Sequence, residues 1–182
     1  MNLKTALIVI DMINDFVTGK LGFKGAVKIV PNVQRLLAAA RAKGVPVLFV
    51  RDAHSPDDPE LRVWGEHAMA GTEGSEIIPE LKPVRGEPVI SKQTYSIFHG
   101  PEPGRMLRKM GVEELVLTGV VTEICIQNSA AGAFFNGYRV VVPNDCVASP
   151  DEKASKYSLG YMQRIYGAQI TNSRDIIKSW GK

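Results

Sequence analysis

The sequence is poor in cysteine, in histidine and in charge of one sign, and each shortage excludes something. Cys125 and Cys146 are its only cysteines. Two are too few for a disulfide framework, and their spacing matches neither a C-x-x-C redox pair nor a zinc knuckle. A reducing cytoplasm is therefore the expected compartment. The 22 lysines and arginines against 19 aspartates and glutamates leave a net charge of +3, with no basic run longer than two residues. Such a balance gives no footprint for a phosphate backbone or an anionic lipid surface, so neither nucleic acid nor membrane is an expected partner. The N-terminal apolar stretch of about seven residues is far short of a membrane span and lacks a signal-peptide cleavage site, so it reads as a buried strand. G-x-G-x-x-G after the first strand, G-x-x-x-x-G-K-[ST] and G-x-S-x-G are all missing, which removes the dinucleotide, P-loop and serine-hydrolase readings.

What is present is an ordinary globular composition, 45% hydrophobic and 23% charged over 182 residues. A chain of this size buries roughly 70% of its unfolded surface, so the core needs neither a disulfide nor a structural metal, and a metal here would serve function. No repeat, low-complexity stretch or linker divides the chain, so one domain over 1–182 is expected.

Short blocks rich in Val, Ile and Leu at 6–10, 45–50, 87–91, 115–118, 139–142 and 168–171 read as strands, apolar without alternation and so covered on both faces. Between them lie stretches of helical period. Ile29, Val33, Leu36, Leu37 and Ala40 form one that stops at Gly44; others run over 105–110, 122–136 and 151–165, stopping at Gly111, Gly137 and near Gly167. This alternation predicts an α/β fold, a doubly wound three-layer sandwich around a mostly parallel central sheet. Residues 52–86 are the exception, a polar Pro/Gly-rich segment. Loops longer than about 15 residues inside a compact domain tend to be functional, and this one follows a strand, over the carboxyl edge where such sheets bind ligands.

Polar residues recur at the strand ends: Asp11, Asp52 with His54, Lys92, and the stretch from Thr118 to Cys125. Cys125 falls three residues after Thr122, an expected N-cap, and so in the first turn of a helix. There the dipole and unpaired N–H groups favour a thiolate and offer an oxyanion site; the competing reading is a small buried hydrophobe. Asp11 and Lys92 end apolar strands, where a charge must be paired. They read either as a structural ion pair or, with Cys125, as a nucleophilic site in which the aspartate takes the thiol proton. His54 and His67 share the long loop with Asp52 and Glu60, a donor set suited to Zn²⁺, Mn²⁺ or Fe²⁺, against the alternative of surface histidines and acids. His99 stands alone and reads as structural.

Taken together, ALIVIDMINDF, VRDAH, VISKQTYSIFHG and LTGVVTEICIQNSAAGAFFNGYRVVVPNDCVAS resemble the cysteine hydrolases of the isochorismatase-like superfamily, and within it the nicotinamidases, over nearly the whole chain. The resemblance implies a catalytic Asp11, Lys92 and Cys125, and the presence of that cysteine disfavours isochorismate cleavage. It also implies one divalent metal, zinc first, with iron and manganese as alternatives, on Asp52, His54, Glu60 and His67. A non-proline cis peptide would fall at Val120-Val121, with the amides of Val121 and Cys125 as the oxyanion hole. Phe16, Trp64 and Tyr95 match aromatic positions of the family's pocket; core packing is the competing reading for all three. Two departures stand out: Ala68 follows His67 where many relatives carry cysteine, and the segment between metal and lysine is short. The function implied is hydrolysis of nicotinamide to nicotinate and ammonia in NAD salvage, on a small-molecule amide, by a homo-oligomer, dimer or tetramer. The alternatives are another cysteine amidase, acting on an N-carbamoyl, ureido or maleamate compound, or a non-catalytic flavodoxin-like binding module.

Overall fold

In the computed structural model, which describes residues 3–181, the chain runs β1 (Thr5–Ile10), α1 (Asn14–Val17), α2 (Lys24–Lys43), β2 (Val47–Asp52), α3 (Leu61–Trp64), β3 (Val89–Lys92), α4 (Pro101–Lys109), β4 (Glu114–Val120), a π-helical turn (Thr122–Ile126), α5 (Gln127–Phe135), β5 (Arg139–Pro143), β6 (Val147–Ala148), α6 (Glu152–Tyr166), β7 (Gln169–Thr171) and α7 (Ser173–Ser179). The strands form one sheet in the order β3-β2-β1-β4-β5-β7, with β6 paired to β4 off that path. Every ladder is parallel. The expected three-layer α/β architecture is therefore present, with the sheet wholly rather than mostly parallel.

Alternate residues of β1 feed two cores. Leu7 and Val9 point to the side where α2 brings Ile29, Val33, Leu36 and Leu37. Ala6, Ile8 and Ile10 point to the other, where Leu107, Ala130, Ala133 and Met162 arrive from α4, α5 and α6. Both faces of the sheet are dry, as unbroken apolar strands require. β3 departs from the expectation: as an edge strand it alternates, with Val89 and Ser91 exposed and Ile90 and Lys92 buried.

From β1 the chain builds β2 and β3 on one side, then crosses to lay β4 on the other. The carboxyl ends of β1 and β4 therefore diverge at the topological switch point, the place where such sheets open a ligand crevice. Their ends come unusually close there. Gly119 has φ 114°, and a Cβ on it would fall within the carbonyl of Ile10. Only glycine fits that position.

Residues 52–86 are more ordered than a plain loop. Besides α3 they hold two 3₁₀ turns (Glu73–Ser75 and Pro79–Leu81), and isolated bridges tie His54 to Met69 and Ile13 to Ile77.

Candidate active site

Asp11 directly follows β1, and Asp52 and Lys92 close β2 and β3, so a parallel sheet delivers all three to one edge. Asp11 is fully buried, and its backbone sits in the left-handed region at φ 56°, uncommon for a non-glycine residue and concentrated at functional sites. Its Oδ1 accepts the backbone N–H of Asp52 at 2.8 Å. Its Oδ2 lies 2.7 Å from Lys92 Nζ. The same ammonium reaches Asp52 Oδ1 at 2.5 Å and Cys125 Sγ at 3.7 Å. One buried cation thus touches both carboxylates and the sulfur.

The charges of this cluster are set by burial and by one another. Burial and the charge of Asp52 push Asp11 up to about 6, against the pull of Lys92. Burial raises Asp52 too, but Lys92 and His54 outweigh it and the net direction is down. Burial would lower Lys92, yet Asp11, Cys125 and Asp52 together hold it well above the usual lysine range. Burial also drives the Cys125 thiol well above its ordinary value; Lys92 opposes this while Asp11 and Asp52 reinforce it. The expectation of a thiolate favoured by a helix terminus is therefore corrected. At Cys125 desolvation and two buried carboxylates favour the thiol over the thiolate, against the pull of Lys92.

The local backbone differs from expectation as well. β4 leaves the sheet through Gly119 and a cis peptide at Val120-Val121. The segment 122–136 is not one α-helix; its first turn is π-helical, and the flanking residue is Val121, with no side-chain cap. Thr122 does not act as the N-cap. Its hydroxyl accepts a hydrogen bond from Ser155 Oγ at 3.0 Å and its carbonyl one from Ser158 Oγ at 3.3 Å, so α6 anchors the turn that carries Cys125. π-Turns of this kind are frequent at functional sites.

Asp52, His54, Glu60 and His67 are all buried, with one potential ligand atom from each within 4.8 Å of the others. The two imidazoles are oriented from behind. His54 Nδ1 faces Asp58 Oδ2 at 3.2 Å, and His67 Nδ1 donates to the Gly65 carbonyl at 2.7 Å. Each ring thereby keeps Nε2 for the cluster, with its orientation fixed from the far nitrogen as in a metal-binding histidine. His54 Nε2 stands 3.8 Å from Asp52 Oδ2 and 3.9 Å from Glu60 Oε2, and neither it nor Glu60 Oε1 has a hydrogen-bond partner although both are buried. Burial, with the neighbouring Asp52, pushes Glu60 up to about 7. Burial would lower His54, but Asp52 and Asp58 raise it. Two carboxylates and two oriented imidazoles with orphaned, inward-facing atoms fit a divalent first-row cation.

A cavity of about 200 Å³ opens over both clusters. Phe16, Trp64 and Tyr95 all line it, together with Asp52, Glu60 and His67 from the quartet, and Cys125 from the π-helical turn with its flanking Val121. Trp64 Nε1 donates to the Tyr95 hydroxyl at 3.1 Å, and the Phe16 ring lies 5.6 Å from that of His67. Leu21, Phe23, Glu123, Ile124 and Pro150 complete the wall and were not foreseen. Glu123 alone carried a signal, its place two residues before Cys125; its Oε1 accepts Ser149 Oγ at 2.6 Å. No arginine or lysine lines the cavity among the described residues. His99 is exposed and lies outside it.

A parallel sheet that gathers a buried cysteine, lysine and aspartate at its carboxyl edge carries the residue types of a nucleophile-plus-base hydrolase. The family described as Isochorismatase domain matches residues 5–175, and the chain belongs to that family, as one of its amidohydrolases. It is 36% identical to Nicotinamidase 3 of Arabidopsis thaliana over 160 residues, 85% of this chain and 78% of that protein. N-carbamoylsarcosine amidase from Thermoplasma acidophilum superposes with a TM-score of 0.89 at 40% identity, covering 94% of this chain and 97% of its own. Pyrazinamidase of Pyrococcus horikoshii, solved in complex with zinc, superposes with a TM-score of 0.87 at 28% identity, covering 93% and 99%.

Proposed function

We propose that the chain is a nicotinamidase, hydrolysing nicotinamide to nicotinate and ammonia in NAD salvage. The observation that carries this reading is that the metal-ligand quartet and Cys125 open into one aromatic cavity with no cationic side chain on its wall among the described residues. A flat, neutral ring with a carboxamide suits such a wall. A ureido or N-carbamoyl acid brings a carboxylate that would find Glu123 and no cationic side chain on the wall. The likeness to N-carbamoylsarcosine amidase makes an N-carbamoyl amide the second reading.

In this reading the Asp11 carboxylate takes the Cys125 proton as the sulfur attacks the amide carbon. The carbonyl oxygen becomes an oxyanion held by the amides of Val121 and Cys125. As the C–N bond breaks, Asp11 passes its proton to the leaving nitrogen, releasing ammonia and leaving a thioester. Asp11 then takes a proton from water, whose oxygen attacks the thioester carbon. The C–S bond breaks, the acid departs and Cys125 recovers its proton. Lys92 stays protonated throughout and balances the carboxylates. A divalent cation on Asp52, His54, Glu60 and His67 would supply a Lewis-acid anchor for the ring nitrogen, a role of orientation.

Ammonia release from nicotinamide, followed beside a chelated sample and Cys125→Ala, tests the reading. Activity lost in both controls is the expected result. Metal-loaded protein inert toward nicotinamide but active on an N-carbamoyl amide would transfer the assignment to the second reading.

A further inference from the structure

His67 lies in a stretch without regular structure, between Gly65 at φ 74° and Ala68 at φ 42°. A ligand on such a segment needs support from elsewhere, since ligands hold their geometry only when their neighbours are fixed. The support comes from Asp15, 53 residues away in α1. Its Oδ2 accepts the backbone N–H of Ala68 at 2.7 Å. Asp15 is only 9% exposed, and among the described residues no cationic side chain pairs with it. A buried carboxylate without a counter-charge is costly, and here the backbone N–H groups of Ala68 at 2.7 Å and Lys20 at 3.4 Å offset that cost.

The backbone around this carboxylate is shaped to admit it. A Cβ on Gly74 would fall inside the Asp15 carboxyl group, and one on Gly19 would lie 2.7 Å from its Oδ1. The residue it grips serves both imidazoles. Ala68 directly follows His67, and its carbonyl accepts the N–H of His54 at 2.9 Å, while the His54 carbonyl accepts that of Ala70 at 2.9 Å. Phe16, next to Asp15, packs its ring against His67. One carboxylate on a short helix therefore fixes, through Ala68, the two histidines of the quartet.

We propose that Asp15 is the positioning residue of the metal site, setting the cation affinity of the His54 and His67 pair without touching cation or substrate. The inference rests on the reading that the quartet binds a divalent ion. Its test is the Zn²⁺ dissociation constant, measured by competition with a chromogenic chelator, for wild type, His54→Ala, Asp15→Ala and Asp15→Asn. Asp15→Ala should bind zinc about 10–100-fold more weakly, the range for loss of an outer-shell partner. Asp15→Asn, whose side-chain carbonyl still accepts the Ala68 N–H, should recover most of that loss. Folded Asp15→Ala with wild-type affinity would overturn the proposal. If Asp15→Ala does not fold, Gly74→Ala displaces the carboxylate without deleting it, and undiminished affinity there overturns the proposal equally. Wild type binding no better than His54→Ala would remove the metal site itself, a failure of the functional reading visible before any Asp15 variant is compared.

Discussion

Lys92 points its ammonium at the sulfur of Cys125 across 3.7 Å and still leaves it a thiol, because burial and two carboxylates raise the Cys125 proton affinity more than one cation lowers it. In the proposed reaction the lysine then acts chiefly on Asp11. Without it, Asp11 would keep the desolvation and the Asp52 charge that push it up and lose the larger part of what opposes them, leaving only the hydrogen bond with Cys125. Lys92→Met should leave Asp11 protonated at neutral pH and cut kcat/KM by about 10²–10⁴-fold, the usual worth of a general base. Retention of more than a tenth of the activity in a folded Lys92→Met protein would contradict this role.

Burial and Asp52 push Asp11 up to about 6, and in the proposed reaction it must be a carboxylate to take the thiol proton. The kcat/KM of the enzyme should therefore fall about tenfold per pH unit below that value. Stability runs the other way. The fold raises this group from 3.8 to about 6, so between those values the folded chain holds a proton that the unfolded chain has released. The stabilisation from this group is full at acid pH and is lost as pH rises through about 6. Asp11→Asn should abolish the acid limb together with the activity and flatten that part of the stability profile, as read by denaturant titration across pH.

Glu60, pushed up to about 7 by burial and by Asp52, holds a proton at mildly acid pH that a bound cation must displace. Zinc binding should accordingly weaken as pH falls below 7 and should release protons. Calorimetry in two buffers of different ionisation enthalpy measures that release, and equal heats in both would refute it.

Gly119 offers a test of the crevice itself. With φ at 114° and the Ile10 carbonyl where a Cβ would go, Gly119→Ala must separate β1 from β4 at the switch point. The expected cost is at least about 4 kcal/mol, a size reserved for forced backbone or core rearrangement. An urea midpoint close to wild type would show that the two strand ends tolerate separation.

Much of this site is visible in the chain because each strand stops at a residue that a dry sheet cannot bury alone. Asp11, Asp52 and Lys92 each follow or close an apolar run, and parallel pairing takes them to one edge whatever the strand order. The aromatic wall was legible only by resemblance, since Phe16, Trp64 and Tyr95 show no local pattern that separates a cavity from a core. Thr122 misled because a Thr three residues before a helical cysteine has the local chemistry of a cap, whereas its hydroxyl is claimed by Ser155 from α6. The two-residue β6 exists only through its pairing with Gly119 and Val120. α7 carries no long apolar run to mark it, although Asn172 Oδ1 accepts the Asp175 N–H at 3.0 Å, a capping pattern within reach of sequence. α2 begins at Lys24 and runs through Pro31, earlier than the apolar spacing from Ile29 implied. The grip of Asp15 on Ala68 spans 53 residues and leaves no local trace.

Asp52 and Lys92 are also register partners, opposite one another in the ladder between β2 and β3. β3 has only four residues and lies at the rim of the sheet, where sliding by one position meets the least resistance. Such a slide would turn Lys92 to the other face, severing it from Asp11, Asp52 and Cys125 in a single motion while most of the sheet stayed paired. The ion pair is thus a clasp on the outermost strand, and in the proposed reaction turnover per molecule doubles as a census of chains whose border strand has settled in step.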